Sequence, residues 1–228
     1  MERAFGLEIP RTLDEVCRPD RLALLVYDMQ AGIVVQLPDG AEVTRRVLDV
    51  VDAARAGGFR VFYTRHMSLP KEVAGVSQLS MALAWQRVEH VEQARAPFLR
   101  DSPPFQLVAE LTPLPTEVIF DKITMSAFVG TPLDIAMRDC GLNAFAIVGI
   151  ALEVGIEPTV RHAMDLGYIP VVVTDACGSG DKEAARRALA GLQFTGGSYQ
   201  TDVATIGRLM RERPSDASSR TRTASRKG

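Results

Sequence analysis

The sequence predicts a three-layer α/β/α fold around a mostly parallel, roughly six-stranded open sheet. Three observations lead there. Apolar runs of strand length alternate with stretches of helical period along most of the chain. The runs at 22–27 and 144–148 are continuous rather than alternating, as expected of strands buried on both faces. Asp28 and Lys122 stand at the carboxyl ends of two such runs, the edge at which open α/β sheets bind ligands.

Composition bounds the organisation. A chain of 228 residues with 46% hydrophobic content buries one good core more readily than two, so residues 1–212 are expected to form one domain. Residues 213–228 hold Arg213, Arg220, Arg222, Arg226 and Lys227 against Asp216, a local charge of +4 among Ser and Thr, and read as a disordered basic tail. The whole chain carries −2, which leaves the body near −6 and argues against a nucleic-acid partner. No apolar run approaches the roughly 18 residues of a membrane span. The segment Met1–Glu8 has no signal-peptide core, so a cytoplasmic location is expected. Cys17, Cys140 and Cys177 match no zinc template and read as free thiols.

Taken in order, residues 1–20 read as an irregular lead-in punctuated by Pro10 and Pro19. Leu22–Gln30 is a buried strand ending in Asp28, an acid suited either to chemistry or to capping the next turn. Val43, Val47, Val50, Val51 and Ala54 share one helical face, and Gly57-Gly58 ends that helix. Phe59–Thr64 is a second strand followed by His66, a lone histidine suited either to substrate or to packing. The 67–115 stretch reads as a lid or subunit contact, with a helix over Val76–Ala94 that carries Trp85. Glu117–Ile123 is the third strand. Thr131 then reads as an N-cap with Pro132 at the first helical position, and Gly141 stops the helix after Cys140. Ala144–Val148 is the fourth strand, leading through a turn into a helix that carries Val160, Ala163 and Met164. Ile169–Thr174, a helix over 182–194 and a short strand and helix between Tyr199 and Arg211 complete the domain. Gly178-Ser-Gly180 is too short for a dinucleotide fingerprint, and no cofactor is expected.

Three ordered motifs carry a family resemblance: Leu-Val-Tyr-Asp-Met-Gln30; Asp-Lys122-Ile-Thr-Met-Ser-Ala-Phe128 before the Thr131 helix; and Gly149-Ile-Ala-Leu-Glu-Val-Gly155 followed by Pro-Thr-Val-Arg-His-Ala-Met-Asp-Leu-Gly-Tyr168. Together they resemble the isochorismatase-like hydrolase superfamily. In most of that family an aspartate, a lysine and a cysteine form the active site, with the cysteine activated at the start of the helix after the fourth strand. By motif, Asp28 takes the place of the aspartate and Lys122 that of the lysine. The place of the cysteine falls on Gly155. Isochorismatases carry a glycine there and use the aspartate as a general acid on the vinyl-ether carbon, after which water adds to the oxocarbenium ion. The resemblance also implies a non-proline cis peptide at Ile150-Ala151, which makes Gly155 and Ala151 a backbone oxyanion site.

The resemblance therefore implies a hydrolase of a small metabolite that uses an Asp/Lys pair without a thiol, with vinyl-ether hydrolysis favoured. The alternatives are a ligand-binding or regulatory protein on the same scaffold and a C–N hydrolase that activates water directly. Gln30, His66, Trp85, Phe128 and Leu152 are the candidate substrate contacts, and Gly155 is expected to leave open room for a ligand at the helix start. His66 and His90 stand well apart without a paired carboxylate, so no metal is expected. A homodimer or homotetramer is expected from the family habit.

Overall fold

A computed structural model describes residues 1–212; the expected basic tail lies outside the described residues. The lead-in is more ordered than its prolines suggest. Glu2–Ala4 (β1) pairs antiparallel with Leu7–Ile9 (β2) across a turn in which Phe5 and Gly6 take positive φ. Leu13–Val16 (α1) follows, capped by Thr12, whose Oγ1 accepts from Glu15 N. These pieces are too short to leave a periodic trace in the sequence.

Leu22–Tyr27 (β3) is buried along its whole length. The short helix Ala31–Val34 (α2), unforeseen in the sequence, leads to Gly40–Ala56 (α3), which buries Val43, Val47, Val50, Val51 and Ala54 as their spacing predicts. Gly58, at φ 72, turns the chain into Val61–His66 (β4), two residues later than the apolar run suggested. Between β4 and the next strand lies one helix, Val76–Gln86 (α4), with short 3-10 turns around it. The expected helix to Ala94 stops early because Arg87 adopts the left-handed conformation, at φ 54.

Val118–Lys122 (β5) precedes Leu133–Asp139 (α5). The cap there is displaced by one residue: Pro132 is the N-cap, and Thr131 Oγ1 accepts from Leu133 N at 3.3 Å while donating to Ala127 O at 2.6 Å. Ala144–Ile150 (β6) ends in the cis peptide Ile150-Ala151, and a π-helical turn at Leu152–Ile156 feeds Glu157–Asp165 (α6). Ile169–Gly178 (β7) runs four residues further than expected, past a register shift opposite Ile147 and Gly149. Lys182–Thr195 (α7), Tyr199–Thr201 (β8) and Val203–Arg211 (α8) close the domain. Asp181 and Asp202 cap α7 and α8 through their side chains.

The main sheet has six strands in the order β5-β4-β3-β6-β7-β8, all parallel. Side chains of β3 alternate strictly between two cores. Leu22, Leu24 and Val26 pack with α3 and α8 on one face, whereas Ala23, Leu25 and Tyr27 pack with α5, α6 and α7 on the other. The half of this sheet from the β5 edge to β6 brings the carboxyl ends of β3, β4, β5 and β6 side by side, where Asp28, His66, Lys122 and the Ile150–Gly155 turn converge.

Candidate functional site

The end of β3 departs from regular strand geometry at Asp28, which takes φ 49. Aspartate is among the few residues that tolerate this region, and the turn brings its carboxylate across the strand ends. Asp28 is 4% and Lys122 3% exposed. Lys122 Nζ donates to Asp28 Oδ2 at 2.6 Å and to Thr124 O at 3.1 Å, and Thr64 Oγ1 donates to Asp28 Oδ1 at 2.7 Å. Both carboxylate oxygens are thus engaged, one by an ammonium and one by a hydroxyl. Burial pulls the Lys122 ammonium below its ordinary range, while the Asp28 charge opposes the shift.

Tyr27, the residue before Asp28, completes the cluster, and sequence reasoning missed it. Its ring lies under the Lys122 ammonium, with Nζ 4.2 Å from the ring centroid, and its hydroxyl donates to Met125 O. Burial, followed by the Asp28 charge, pushes the phenol well above its usual range, so it stays protonated. Tyr27 also stands against Gly155. A Cβ built on Gly155 falls 2.5 Å from Tyr27 Cζ and 2.6 Å from Cε1, and closer still to Oη. The expected open room at Gly155 is therefore absent: a phenol fills it. A signal existed in the sequence, since the apolar run of β3 closes on its only aromatic residue directly before the acid.

The backbone at this turn is likewise less open than anticipated. The N–H groups of Gly155 and Ile156 both reach Ala151 O, at 3.0 and 3.1 Å, so the N–H of Gly155 is satisfied within the π-turn. Thr159 Oγ1 donates to Gly155 O at 2.6 Å and accepts from Ala127 N at 3.1 Å, tying α6 to the loop after β5. Ser126 Oγ and His162 Nδ1 meet at 2.9 Å in the same tie.

Of the expected substrate contacts, His66 alone stays beside the pair. Its imidazole is held below its ordinary pKa by burial and then by the Lys122 charge, and its ring packs edge-on to Phe98. Gln30 is instead a structural clasp. Its amide donates to His66 O at 3.0 Å and Phe105 O at 2.9 Å and accepts from His66 N at 2.6 Å, so both of its N–H groups are engaged within the fold. Phe128 stacks on Tyr168 and packs with Phe145, and Leu152 is buried in the same core, so both are packing residues. Trp85 is 62% exposed on α4, a helix with no buried residue.

Two surface concavities, of about 510 and 270 Å³, border the 31–44 and 106–113 segments, and neither is lined by Asp28, Lys122 or Gly155. Among the described residues no group of three His, Cys, Asp or Glu side chains is placed to hold a metal ion. Cys177 is half-buried on β7, and desolvation of its thiol followed by the Asp175 charge raises its pKa far above the ordinary range, which makes it a poor substitute nucleophile.

The isochorismatase domain model matches residues 22–205. The chain belongs to the isochorismatase family. Solved structures agree in fold. A cysteine hydrolase from Pseudomonas syringae pv. phaseolicola shares 23% identity over 86% of this chain and 95% of its own, at a TM-score of 0.73. An isochorismatase family protein from Burkholderia thailandensis shares 27% identity over 84% of this chain and 96% of its own, at 0.69. An N-carbamoylsarcosine amidase from Thermoplasma acidophilum shares 18% over 80% and 96%, at 0.65. No described helix is long and apolar enough to cross a membrane.

Proposed function

We propose that this isochorismatase-family protein is a hydrolase of a small metabolite that works without a cysteine nucleophile, with the Asp28–Lys122 pair as its proton-handling centre. Hydrolysis of a vinyl ether of the isochorismate type is the favoured reaction. The observation that carries the reading is the buried Asp28–Lys122 contact at 2.6 Å beside a residue 155 that has no side chain.

The chemistry needs one proton at Asp28. Burial weakens the hold of Lys122 on its proton, and the 2.6 Å contact gives that proton a direct path to Asp28. Asp28 delivers that proton to the vinyl carbon, and the electron pair of the C=C bond forms the new C–H bond. Water then adds to the resulting oxocarbenium carbon. The hemiketal collapses to a ketone and an alcohol, and the proton released restores the pair. His66, kept neutral by its surroundings, is the contact proposed for polar groups of the substrate. The pair is so well covered that substrate binding has to open the surface above it. We take the working form to be a homo-oligomer, and light scattering of the purified protein tests this; a monomer at all concentrations ends that part of the reading.

A second reading, a ligand-binding or regulatory protein, is favoured by the same burial, because every polar atom of the pair already has a partner. Turnover of isochorismate, other enol ethers, nicotinamide, biuret and N-carbamoyl compounds separates the two. Enol-ether turnover that disappears in Asp28→Asn and survives thiol alkylation is the expected result. Silence across the panel with thermal stabilisation by one member transfers the assignment to a binding protein. Turnover of the amides alone transfers it to direct water attack on a C–N bond.

A further inference from the structure

Gly155 has no backbone reason to be a glycine. Its φ lies outside the left-handed range that L side chains avoid, unlike Gly149 at φ 123. What forbids a side chain there is another side chain: the ring and hydroxyl of Tyr27 occupy the space a Cβ would take. The phenol is in turn fixed from three sides. Its hydroxyl holds Met125 O, its face carries the Lys122 ammonium, and its ring belongs to the core formed with α5 and α6.

We propose that Tyr27 and Gly155 form an interlocked pair that sets the reaction class of the site: the phenol takes the volume of a residue-155 side chain, excludes a nucleophile there, and supports Lys122 in its place. Tyr27 is a positioning and specificity-determining residue. Substrates that demand a covalent acyl intermediate are excluded by shape, and those that react by proton transfer and water addition at Asp28 are retained. The proposal rests on reading the Asp28–Lys122 pair as the reactive centre, but the interlock itself can be measured without turnover.

The geometry predicts different behaviour for two replacements of Tyr27. Phenylalanine keeps Cζ and Cε1, the atoms 2.5 and 2.6 Å from the built Cβ, and so leaves the block in place. Leucine ends short of both and opens it while keeping the position apolar.

The test is a cycle of Gly155→Ala and Gly155→Cys, each made in the Tyr27, Tyr27→Phe and Tyr27→Leu backgrounds. Thermal midpoints are read throughout, and peptide-resolved iodoacetamide labelling is read against the exposed Cys140 of the same molecules. With Tyr27 or Tyr27→Phe, either substitution at 155 should lower the midpoint by about 2–12 °C, the range for overpacking a core in a chain of this size. In Tyr27→Leu the loss should fall to less than half of that. The introduced thiol should then label at a lower pH than Cys140, because the Lys122 ammonium stabilises the thiolate. Equal losses in all three backgrounds, or a thiol that labels freely with Tyr27 present, overturn the interlock. An interlock that holds in a protein with no turnover on the panel removes the hydrolase reading alone.

Discussion

Asp28 and Lys122 illustrate how far single residues can be read. Each was legible in the sequence because it stands at the carboxyl end of a strand-length apolar run, the edge at which open α/β sheets bind ligands, although only β3 is buried throughout and β5 is a half-buried edge strand. Their mutual contact was not, because it depends on the positive φ of Asp28 and on β4 separating the two strands. Removing one partner of a buried pair leaves the other charge uncompensated at a cost of about 3–5 kcal/mol, whereas removing both costs much less. Asparagine tolerates the Asp28 backbone, so Asp28→Asn tests the charge without adding strain. Urea unfolding of Asp28→Asn, Lys122→Met and the double variant should show strong coupling, and additive losses would mean that the pair is not one unit. His66 adds a pH dependence. Its folded pKa lies below its unfolded value, so between the two the unfolded chain binds more protons and stability rises with pH. The contribution is complete above the unfolded value of roughly 6.5 and is lost as pH falls toward the folded pKa. Asp28 opposes this depression and Lys122 reinforces it. Midpoints measured from pH 7.5 down to 5 should fall less steeply in His66→Gln than in the parent protein; parallel curves would remove His66 from the account.

Elements were legible where their burial is uniform. β3, α3 and β6 stand where continuous or helical apolar periods placed them, because nearly every turn or alternate residue of each meets a core. Elements that answer to one local contact were not. α2 depends on Gln30 O accepting from Val34 N, and α4 ends on the left-handed Arg87, neither of which leaves a period. The β6–π-turn junction shows the same division between its two glycines. At Gly149 the obstacle to a Cβ is backbone: Tyr27 C and N lie at 2.8 and 2.9 Å, with the carbonyl oxygen closer, and φ is 123. No side-chain substitution elsewhere relieves that contact, so Gly149→Ala should cost at least about 3 kcal/mol, combining strain and overpacking. Tyr27→Leu should not rescue it, in contrast to Gly155. Chemical denaturation of the two double variants checks the contrast, and rescue at Gly149 would mean that β3 and β6 separate more easily than their register implies.

At the scale of the whole molecule, one sheet separates two apolar cores. Ile206 on α8 lies in the first and Leu133 on α5 in the second, both fully buried. The alternation of β3 joins them, since each residue of the strand belongs to one core while its neighbour belongs to the other. Neither face can come apart without exposing the back of the same strands. We therefore expect residues 1–212 to unfold as one cooperative unit, with the Asp28–Lys122 edge lost in the same step. Ile206→Ala and Leu133→Ala should each destabilise the domain by about 2–5 kcal/mol. Each should shift a single transition that coincides by far-UV and near-UV circular dichroism. Trp85 reports poorly on this event, because it is exposed on a helix with no fully buried residue, and tyrosine signals from Tyr27, Tyr63 and Tyr168 are the better probes. A transition that splits in one variant alone would show that the two cores are energetically separable. The strand ends carrying Asp28 and Lys122 would then be free to loosen on one side while the sheet persists, and opening of the site for substrate would be traced to that face.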